Sequence, residues 1–301
     1  ARRTGAAFRF EAAVGGGIPV LGPLAGDLAA NRASAVRGIV NGTTNYILSA
    51  MAEGRGTYES VLREAQEQGY AEADPSGDVE GRDAINKLVI LARLAFGAWL
   101  DPAFVIDRPP SLRGSGGPGI TGVTTDQLAG ARELGLAIRL IATSARASDG
   151  SVAASVIPTA VPLDSPLGRT TGVRNRIEVT AEPVGQVGFD GPGAGGPATA
   201  SAVLGDIAAI ARGLGSTWAS LPPASAAPAN DGDPSGWARR WFAFLPGVRA
   251  GRVLLDLAES HVELPSGTAI RTSWLGLESL RGRVVDAAPE SLDAPWYPID
   301  D

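Results

Sequence analysis

Hydrophobic positions recur with helical spacing in several stretches of the chain. The pattern predicts an amphipathic helix over residues 57–69, which Thr57 can cap, and a longer helix over residues 80–96. The second half of the longer helix, residues 88–92, is apolar nearly all round, so we expect it to be buried. Further helices are predicted over residues 45–53, 199–213 and 125–141, the last running into strand-like apolar residues.

Runs of β-branched and apolar residues predict strands between these helices. Strands are expected over residues 36–40, 151–161 and 177–189. A short strand is also expected over residues 8–20, where it runs into the glycine turn at residues 15–17. The spacing of glycine and proline is typical of a mixed or antiparallel sheet. We therefore predict an α/β fold of the α+β kind, in which helices pack on one face of a mixed sheet.

Polar and proline- or glycine-rich stretches divide the chain. Loops are predicted over residues 70–79 and 108–121. Residues 217–236 are rich in Pro, Ala, Ser and Asp, which predicts a linker. Residues 237–301 then form a carboxy-terminal extension of unknown role, in which the only histidine, His261, is expected to be a surface or packing residue.

Composition excludes several classes of function. The 301 residues are 44% hydrophobic and 19% charged, which is typical of a globular protein. The net charge of −6 gives no indication of a nucleic-acid or anionic-membrane partner, and no apolar run is long enough to span a bilayer. The absence of cysteine excludes thiol catalysis, disulfides and cysteine metal sites. No secretory signal opens the sequence, which predicts a cytoplasmic protein, and Ala1 in place of Met predicts a longer natural product.

Lys87 is the only lysine in a chain whose other basic side chains are arginine. A lysine can give and take a proton, whereas arginine stays protonated. Asp83 lies four residues earlier, on the same face of the predicted helix, and can hold the Lys87 ammonium ready to protonate an alkoxide. Glu72 and Asp78, in the preceding loop, could bind a substrate ammonium group. Spacing alone leaves open a solvated surface pair and simple helix-dipole stabilisation.

A glycine cluster at residues 191–196 precedes the predicted helix at 199–213. Gly191, Gly193 and Gly196 have the spacing of the dinucleotide fingerprint G-x-G-x-x-G. A true fingerprint opens a βαβ unit, but here the helix leads into the predicted linker. The pattern alone is therefore a weak indication of nucleotide binding.

Four segments, taken in order, resemble homoserine dehydrogenases. They are FEAAVGGGIP at residues 10–19, GIVNGTTNYI at 38–47, the stretch from Gly69 to Lys87, and GPGAGG at 191–196 with its following helix. The resemblance covers roughly residues 8–213. It implies that residues 1–190 are the catalytic and dimerisation domain of a two-domain, Rossmann-containing dehydrogenase. Residues 191–216 would return to an amino-terminal nucleotide-binding domain that is absent from this chain.

The resemblance also implies roles for individual residues. Lys87 would donate a proton to the aldehyde oxygen as hydride arrives, and Asp83 would orient the substrate hydroxyl. Residues implied to bind substrate are Glu72, which would hold the amino group, Asp78, Thr43 and Tyr70. Residues implied to lie at the cofactor, NADP or NAD, are Gly193, Ala194, Gly195 and Thr199. A sodium site built largely from backbone carbonyls is implied at Glu11, Val14, Gly16 and Ile18.

The function implied is reversible, NAD(P)-dependent interconversion of L-homoserine and L-aspartate 4-semialdehyde by a homodimer, in threonine and methionine biosynthesis. Two alternatives remain open: a truncated relative that binds a small molecule or a partner without redox chemistry, and a dehydrogenase of a different amino-acid aldehyde. The sequence departs from the family at Pro197, which is displaced from the usual Gly-Gly-x-Pro-Thr order. Residues 241–248 faintly resemble the start of an ACT domain, so the extension is interpreted as a possible degenerate ACT-like unit.

Overall fold

One mixed sheet organises the chain. The computed structural model describes residues 4–111, 117–147, 149–219, 221, 239–247, 256–287 and 293–300. Nine strands of these residues form the sheet, in the order β5-β4-β1-β2-β3-β9-β6-β8-β7. The strands are β1 (Arg32–Ile39), β2 (Leu136–Arg146), β3 (Val152–Pro162), β4 (Arg174–Glu182), β5 (Gly185–Pro192), β6 (Arg240–Pro246), β7 (Ala258–Leu264), β8 (Gly267–Thr272) and β9 (Tyr297–Ile299).

Most of the helices cover the face of the sheet that carries the main core. The helices are α1 (Leu21–Ala25), α2 (Gly42–Ala52), α3 (Tyr58–Glu67), α4 (Ser76–Val79), α5 (Arg82–Phe96), α6 (Thr125–Glu133), α7 (Gly196–Ala211) and α8 (Leu277–Ala287). The first six contribute residues to the main core, whereas α8 packs against Trp241 and Ala243 of β6 in a second buried cluster. Val36 and Leu140 point from the sheet into the same buried cluster as Ile47 of α2 and Leu88 of α5. Alternate strand residues such as Ile141 pack on the opposite face against Leu167. This arrangement confirms the predicted fold class.

Helix α5 follows the prediction closely. It is flanked by Gly81 before its first residue and Gly97 after its last, and both glycines have a left-handed backbone (φ 85° and 70°). At Gly97 this conformation ends the helix. The stretch 88–92 is buried as expected, except for the half-buried Ile90. A buried apolar stripe fixes the rotation of α5, so the polar side chains of its first turns face the end of β1.

Three predicted elements differ from the structure. Residues 8–20 form no strand; they contain a 3-10 turn at Glu11–Ala13 and the glycine turn, because Gly15 and Gly16 take positive φ. The helix predicted over 125–141 ends at Glu133, and Gly135 (φ 74°) reverses the chain into β2. The strand predicted over 177–189 is the hairpin β4–β5, whose turn lies between Glu182 and Gly185.

Smaller differences concern the ends of helices. Helix α2 begins at Gly42 and α7 at Gly196, each three residues before its predicted start. The Thr57 hydroxyl donates to Glu59 Oε2 and caps no main-chain amide of α3. The loop predicted over 70–79 contains the short helix α4. Most of the predicted linker, residues 220 and 222–236, lies outside the described residues.

The carboxy-terminal extension adds four strands to the same sheet. Strands β6 and β8 are central and antiparallel, β7 pairs with β8, and β9 pairs with β6. This order, with α8 between β8 and β9, is that of the strands in a β-α-β-β-α-β unit. Residues 248–255, between β6 and β7, lie outside the described residues, and the ACT-like assignment stays a prediction. His261 is exposed on β7.

The extension is joined to the rest of the sheet through β9. Ile299 pairs in parallel with Ala160 of β3, and Arg37 of β1 forms an ion pair with Asp300 (2.6 Å). The buried Tyr297 hydroxyl donates to Gln127 Oε1 on α6 at 2.8 Å, and burial raises the pKa of Tyr297.

None of the described helices is long and apolar enough to cross a membrane.

We expect Tyr297→Phe to lower the free energy of unfolding by about 1 kcal/mol, the usual contribution of one buried hydrogen bond. The loss should be no larger, since Gln127 Oε1 keeps a second donor, the Thr124 amide at 2.8 Å. Urea unfolding measures the change. Tyr58→Phe is the matched control, because no hydrogen bond of the Tyr58 hydroxyl is recorded among the described residues, and it should change stability by less than about 0.5 kcal/mol. Equal effects in both variants would contradict the assigned bond.

Candidate active site

The carboxyl end of β1 and the first turns of α5 meet at Asn41. The Asn41 side chain is 5% exposed, and its Oδ1 accepts from the Thr44 amide at 2.9 Å, which caps α2. Its Nδ2 donates to Asp78 Oδ1 at 2.7 Å and to Asp83 Oδ2 at 2.9 Å. One neutral amide therefore joins two carboxylates that come from α4 and α5.

Lys87 lies beside these carboxylates. Its Nζ donates to Asp83 Oδ2 at 2.7 Å and to the Val40 carbonyl oxygen at 3.1 Å. The Lys87 side chain is 20% exposed and that of Asp83 is 37% exposed, so the pair is half-buried and open to solvent on one side. The predicted Asp83–Lys87 contact thus exists, and Asp78 is brought to the same cluster.

The cluster carries a net negative charge when Lys87 is protonated and both aspartates are ionised, one positive against two negative groups. Such a surface favours a cationic ligand group, for example the ammonium of an amino acid. The start of α4, which carries Asp78, is held by Asp74. The Ser76 amide donates to Asp74 Oδ1 at 3.1 Å, and this hydrogen bond lowers the pKa of the Asp74 carboxyl.

The other predicted substrate residues lie next to the cluster along the chain but make different contacts. Thr43 Oγ1 donates to the Tyr70 carbonyl oxygen at 2.7 Å, and the half-exposed Tyr70 ring packs against Tyr46 with centroids 5.0 Å apart. Glu72 is exposed, and its carbonyl oxygen accepts from Gln66 Nε2 at 3.0 Å. Within the described residues no hydrogen bond joins the Glu72 carboxylate to Lys87, so its predicted role rests on the resemblance alone.

The glycine turn at residues 15–17 packs against the glycine loop that follows β5. A Cβ added to Gly16 would lie 2.4 Å from the Gly193 carbonyl oxygen, and the Gly17 amide donates to the Pro192 carbonyl at 3.2 Å. Gly195 precedes α7 with φ 109°, and a Cβ on Gly195 or Gly196 would meet no atom within 4 Å. The loop is therefore closely packed on one side and open on the other.

Glu11 has a structural contact that the sequence did not predict. Its carboxylate accepts from the amides of Val20 (2.7 Å), Leu21 (2.7 Å) and Gly22 (2.8 Å), at the start of α1. The side chain is therefore already engaged by three main-chain donors. No cluster of three or more acidic or histidine side chains that could hold a metal occurs among the described residues.

Sequence reasoning missed two asparagines. Asn41, in the sequence Asn41-Gly42-Thr43, matches a glycosylation sequon that no secretory signal supports, but its position between a strand and a helix is typical of an N-cap. Asn175 lies fully buried beneath Gly193, where a Cβ on Gly193 would lie 2.2 Å from Asn175 Cγ. Neither polar atom of the Asn175 amide has a hydrogen-bond partner among the described residues.

Comparison with known proteins gives one family. The family model for homoserine dehydrogenase matches residues 19–208, more than half of the chain. The chain is 46% identical over 207 residues to homoserine dehydrogenase of Mycobacterium leprae, covering 67% of this chain and 45% of that protein. It is 40% identical over 215 residues to that of Bacillus subtilis, covering 71% of this chain and 47% of that protein. The chain thus spans about half the length of the curated relatives it matches.

Solved structures agree with this family. A homoserine dehydrogenase from Thiobacillus denitrificans aligns with a TM-score of 0.77 at 29% identity, covering 97% of this chain and 70% of that chain. A hyperthermophilic archaeal homoserine dehydrogenase in complex with NADPH aligns with a TM-score of 0.54 at 29% identity, covering 68% of this chain and 55% of that chain. This chain belongs to the homoserine dehydrogenase family.

Proposed function

We propose that this chain provides the substrate-binding half of an enzyme that interconverts L-homoserine and L-aspartate 4-semialdehyde. The observation that carries the proposal is the cluster at the end of β1, where Asn41 binds Asp78 and Asp83, and Lys87 binds Asp83. A protonated amine beside two carboxylates is suited to a substrate that has both an ammonium group and an oxygen that must be protonated.

The contacts of Lys87 indicate how it would act. An ammonium has three N–H donors, and Asp83 and the Val40 carbonyl accept two of them. The third is free to face the substrate oxygen. As a hydride reaches the aldehyde carbon and the C=O π bond breaks, the carbonyl oxygen takes the proton from Lys87 Nζ and becomes the hydroxyl of homoserine. The reverse reaction returns that proton to Lys87. Asp83 keeps the ammonium in place and can accept from the substrate hydroxyl.

A nicotinamide dinucleotide, NADP or NAD, would supply the hydride. The glycine loop fits a role beside it, because Gly195 and Gly196 leave the chain open at the start of α7. Residues proposed to hold the cofactor there are Gly193, Ala194, Gly195 and Thr199. The orphaned amide of Asn175 supports a ligand or water at this loop, since a buried polar group without a partner costs about 1–3 kcal/mol.

The exposed apolar face of α7 favours the dehydrogenase function over that of a binding protein that acts alone. Four large apolar side chains of this helix are 42–63% exposed: Val203, Leu204, Ile207 and Ile210. A contiguous apolar face of this kind is typical of a surface that another folded part covers. We propose that the cover is the nucleotide-binding part of the longer relatives. The homodimer, the pathway and the cytoplasmic location remain predictions from the resemblance and the sequence.

The sodium site is proposed as a site of main-chain oxygens. No hydrogen bond to the carbonyl oxygens of Glu11, Val14, Gly16 or Ile18 is recorded among the described residues, whereas the Gly15 carbonyl accepts from the Ile18 amide at 2.9 Å. Oxygen ligands without competing donors suit a hard monovalent cation. The bound ion would stabilise the turn in which Gly16 packs against Gly193.

The single lysine makes the proposal directly testable. Protein grown with lysine labelled at its side-chain carbons gives one reporter, Lys87. We expect the NMR signal of Lys87 to shift as L-homoserine is added, and the shift to reach saturation. L-2-aminobutyrate, which lacks only the hydroxyl, should bind more weakly because the site's polar groups are then left unpaired.

Turnover is measured with the full gene product, as oxidation of NADPH or NADH by L-aspartate 4-semialdehyde. A Lys87 signal that L-homoserine leaves unmoved would count against the substrate assignment. A shift without turnover in the full gene product would favour the non-redox binding protein.

A further inference from the structure

Asn41 occupies the centre of the cluster although no chemistry is expected of an amide. We propose that Asn41 is a positioning residue, which holds Asp78 and Asp83 together and thereby fixes the oxygen of Asp83 to which the Lys87 ammonium is bound. The proposal rests on the proposed function of Lys87 and adds a residue to its machinery.

The orientation of the Asn41 amide is determined by its neighbours. The Thr44 amide can only donate, so the atom that it meets at 2.9 Å must be the carbonyl oxygen Oδ1. The NH₂ group then necessarily faces the carboxylates, which can only accept when ionised. In the flipped orientation the Asn41 NH₂ group would face the Thr44 N–H, a donor against a donor. The Asn41 oxygen would then face the carboxylates of Asp78 and Asp83, an acceptor against acceptors. The helix cap therefore sets the direction of the donor group.

Both N–H donors of the Asn41 amide are used by these contacts. Its two N–H groups are directed to Asp78 Oδ1 (2.7 Å) and Asp83 Oδ2 (2.9 Å), and the side chain is 5% exposed. No donor remains for a substrate, which distinguishes a positioning role from a catalytic one. Two ionised carboxylates within reach of one nitrogen repel each other, and the shared amide offsets that repulsion.

Asp83 Oδ2 is the oxygen that Asn41 and Lys87 share. With the amide in place, this oxygen is fixed between two donors and the second oxygen of Asp83 is left for other contacts. Without the amide, repulsion from Asp78 is no longer compensated and the Asp83 carboxylate can rotate. Lys87 would then keep only the Val40 carbonyl, at 3.1 Å, as a fixed acceptor. Misplacement of a reacting group by about 1 Å can cost a hundredfold in rate.

Two substitutions separate this role from the helix cap. Asn41→Ser keeps a cap residue of similar strength but is too short to reach both carboxylates. Asn41→Asp keeps the shape and the cap oxygen, while it replaces the donor by a third carboxylate. In the full gene product we expect Asn41→Ser to lower kcat about tenfold to a hundredfold, with a smaller change in KM for the aldehyde, and Asn41→Asp to lower it at least as far.

The Lys87 NMR signal provides the readout that a structural role would not change. If Asn41 fixes the Asp83 oxygen that binds the ammonium, the signal of labelled Lys87 in the free protein should shift in both Asn41→Ser and Asn41→Asp. Asn45→Ser is the matched control. Asn45 is equally buried in α2, but its Nδ2 donates to three main-chain carbonyls, those of Thr170, Gly172 and Arg174. It should lower stability without moving that signal.

The outcomes separate the two proposals. A wild-type gene product without turnover overturns the proposed function. A wild-type gene product that turns over, with Asn41→Ser and Asn41→Asp both within about twofold of it and the Lys87 signal unmoved in both variants, overturns the positioning role alone. Should the serine variant unfold, the aspartate variant, closer in shape, decides the question. A shift of the Lys87 signal in Asn45→Ser as large as in Asn41→Ser also overturns the proposal, since general loosening of α2 would then explain both.

Discussion

Lys87→Ala in the full gene product is expected to lower kcat by about 10²–10⁴-fold and to leave binding of the nicotinamide cofactor nearly unchanged. The loss follows from the contacts of Nζ, which is the amine of the cluster and is held by Asp83 and the Val40 carbonyl. Removing it leaves the substrate oxygen without a proton donor. Cofactor binding should survive because the glycine loop, Gly193 to Gly196, belongs to a different part of the chain.

A simple ion pair would make a different prediction. Lys87→Arg keeps a cation opposite Asp83, so a stabilising pair would be largely preserved. The guanidinium cannot release its proton near neutral pH, so a proton donor would be lost. We therefore expect Lys87→Arg to remain at least a hundredfold below wild type in kcat, while its free energy of unfolding stays within about 1 kcal/mol.

Arg82→Ala is the control, since Arg82 pairs with Glu80, two residues earlier, and its side chain is 62% exposed. Exposed pairs of this kind contribute little to stability, so near-normal turnover is expected. Steady-state kinetics and a cofactor titration on all three variants settle the assignment. Recovery of turnover in the arginine variant would show that the charge, and not the proton, is what the site requires.

The parts of this site that sequence could predict are local ones. Asp83 and Lys87 are four residues apart in a helix whose apolar stripe fixes its rotation, so their contact follows from α-helical periodicity. Asn41 is 37 residues from Asp78 and 42 from Asp83 along the chain. Its contact with them depends on how β1 and α5 pack, which no local pattern specifies. The sequence places Asn41 at a turn but gives no partner for its amide.

The difference between local patterns and contacts made elsewhere in the fold also explains why residues 8–20 do not form the predicted strand. Its apolar residues resemble a strand locally, but the glycines of the turn take positive φ and the Glu11 carboxylate binds three main-chain amides of α1. These long-range and backbone effects outweigh local β propensity. The resemblance implies a sodium site at this turn, yet it could not indicate that the Glu11 side chain is already engaged.

Gly16→Ala should be the most damaging of the small substitutions near this turn, with the free energy of unfolding lowered by about 2–5 kcal/mol. Gly16 has φ 58°, a left-handed conformation that costs an alanine about 1–2 kcal/mol. Its new Cβ would also lie 2.4 Å from the Gly193 carbonyl oxygen and 2.6 Å from the Gly193 carbonyl carbon. Main-chain atoms cannot move aside as a flexible side chain does, and overpacking of this kind adds about 1–3 kcal/mol.

Gly54→Ala isolates the backbone part of that effect. Gly54 has φ 74°, and a Cβ there would meet no atom within 4 Å, so we expect a loss of only about 1–2 kcal/mol. Urea unfolding of the two variants gives the difference, which reports the rigidity of the contact between the Gly16 turn and the Gly193 loop. Equal losses would mean that the two segments separate at little cost.

The same variants test the proposed sodium site, because binding to the folded state alone stabilises it by RT ln(1 + [Na⁺]/Kd). Sodium chloride should then stabilise wild type and Gly54→Ala more than choline chloride does at equal ionic strength. Gly16→Ala, in which the turn is displaced, should lose that advantage. An equal sodium effect in all three proteins would place the ion elsewhere.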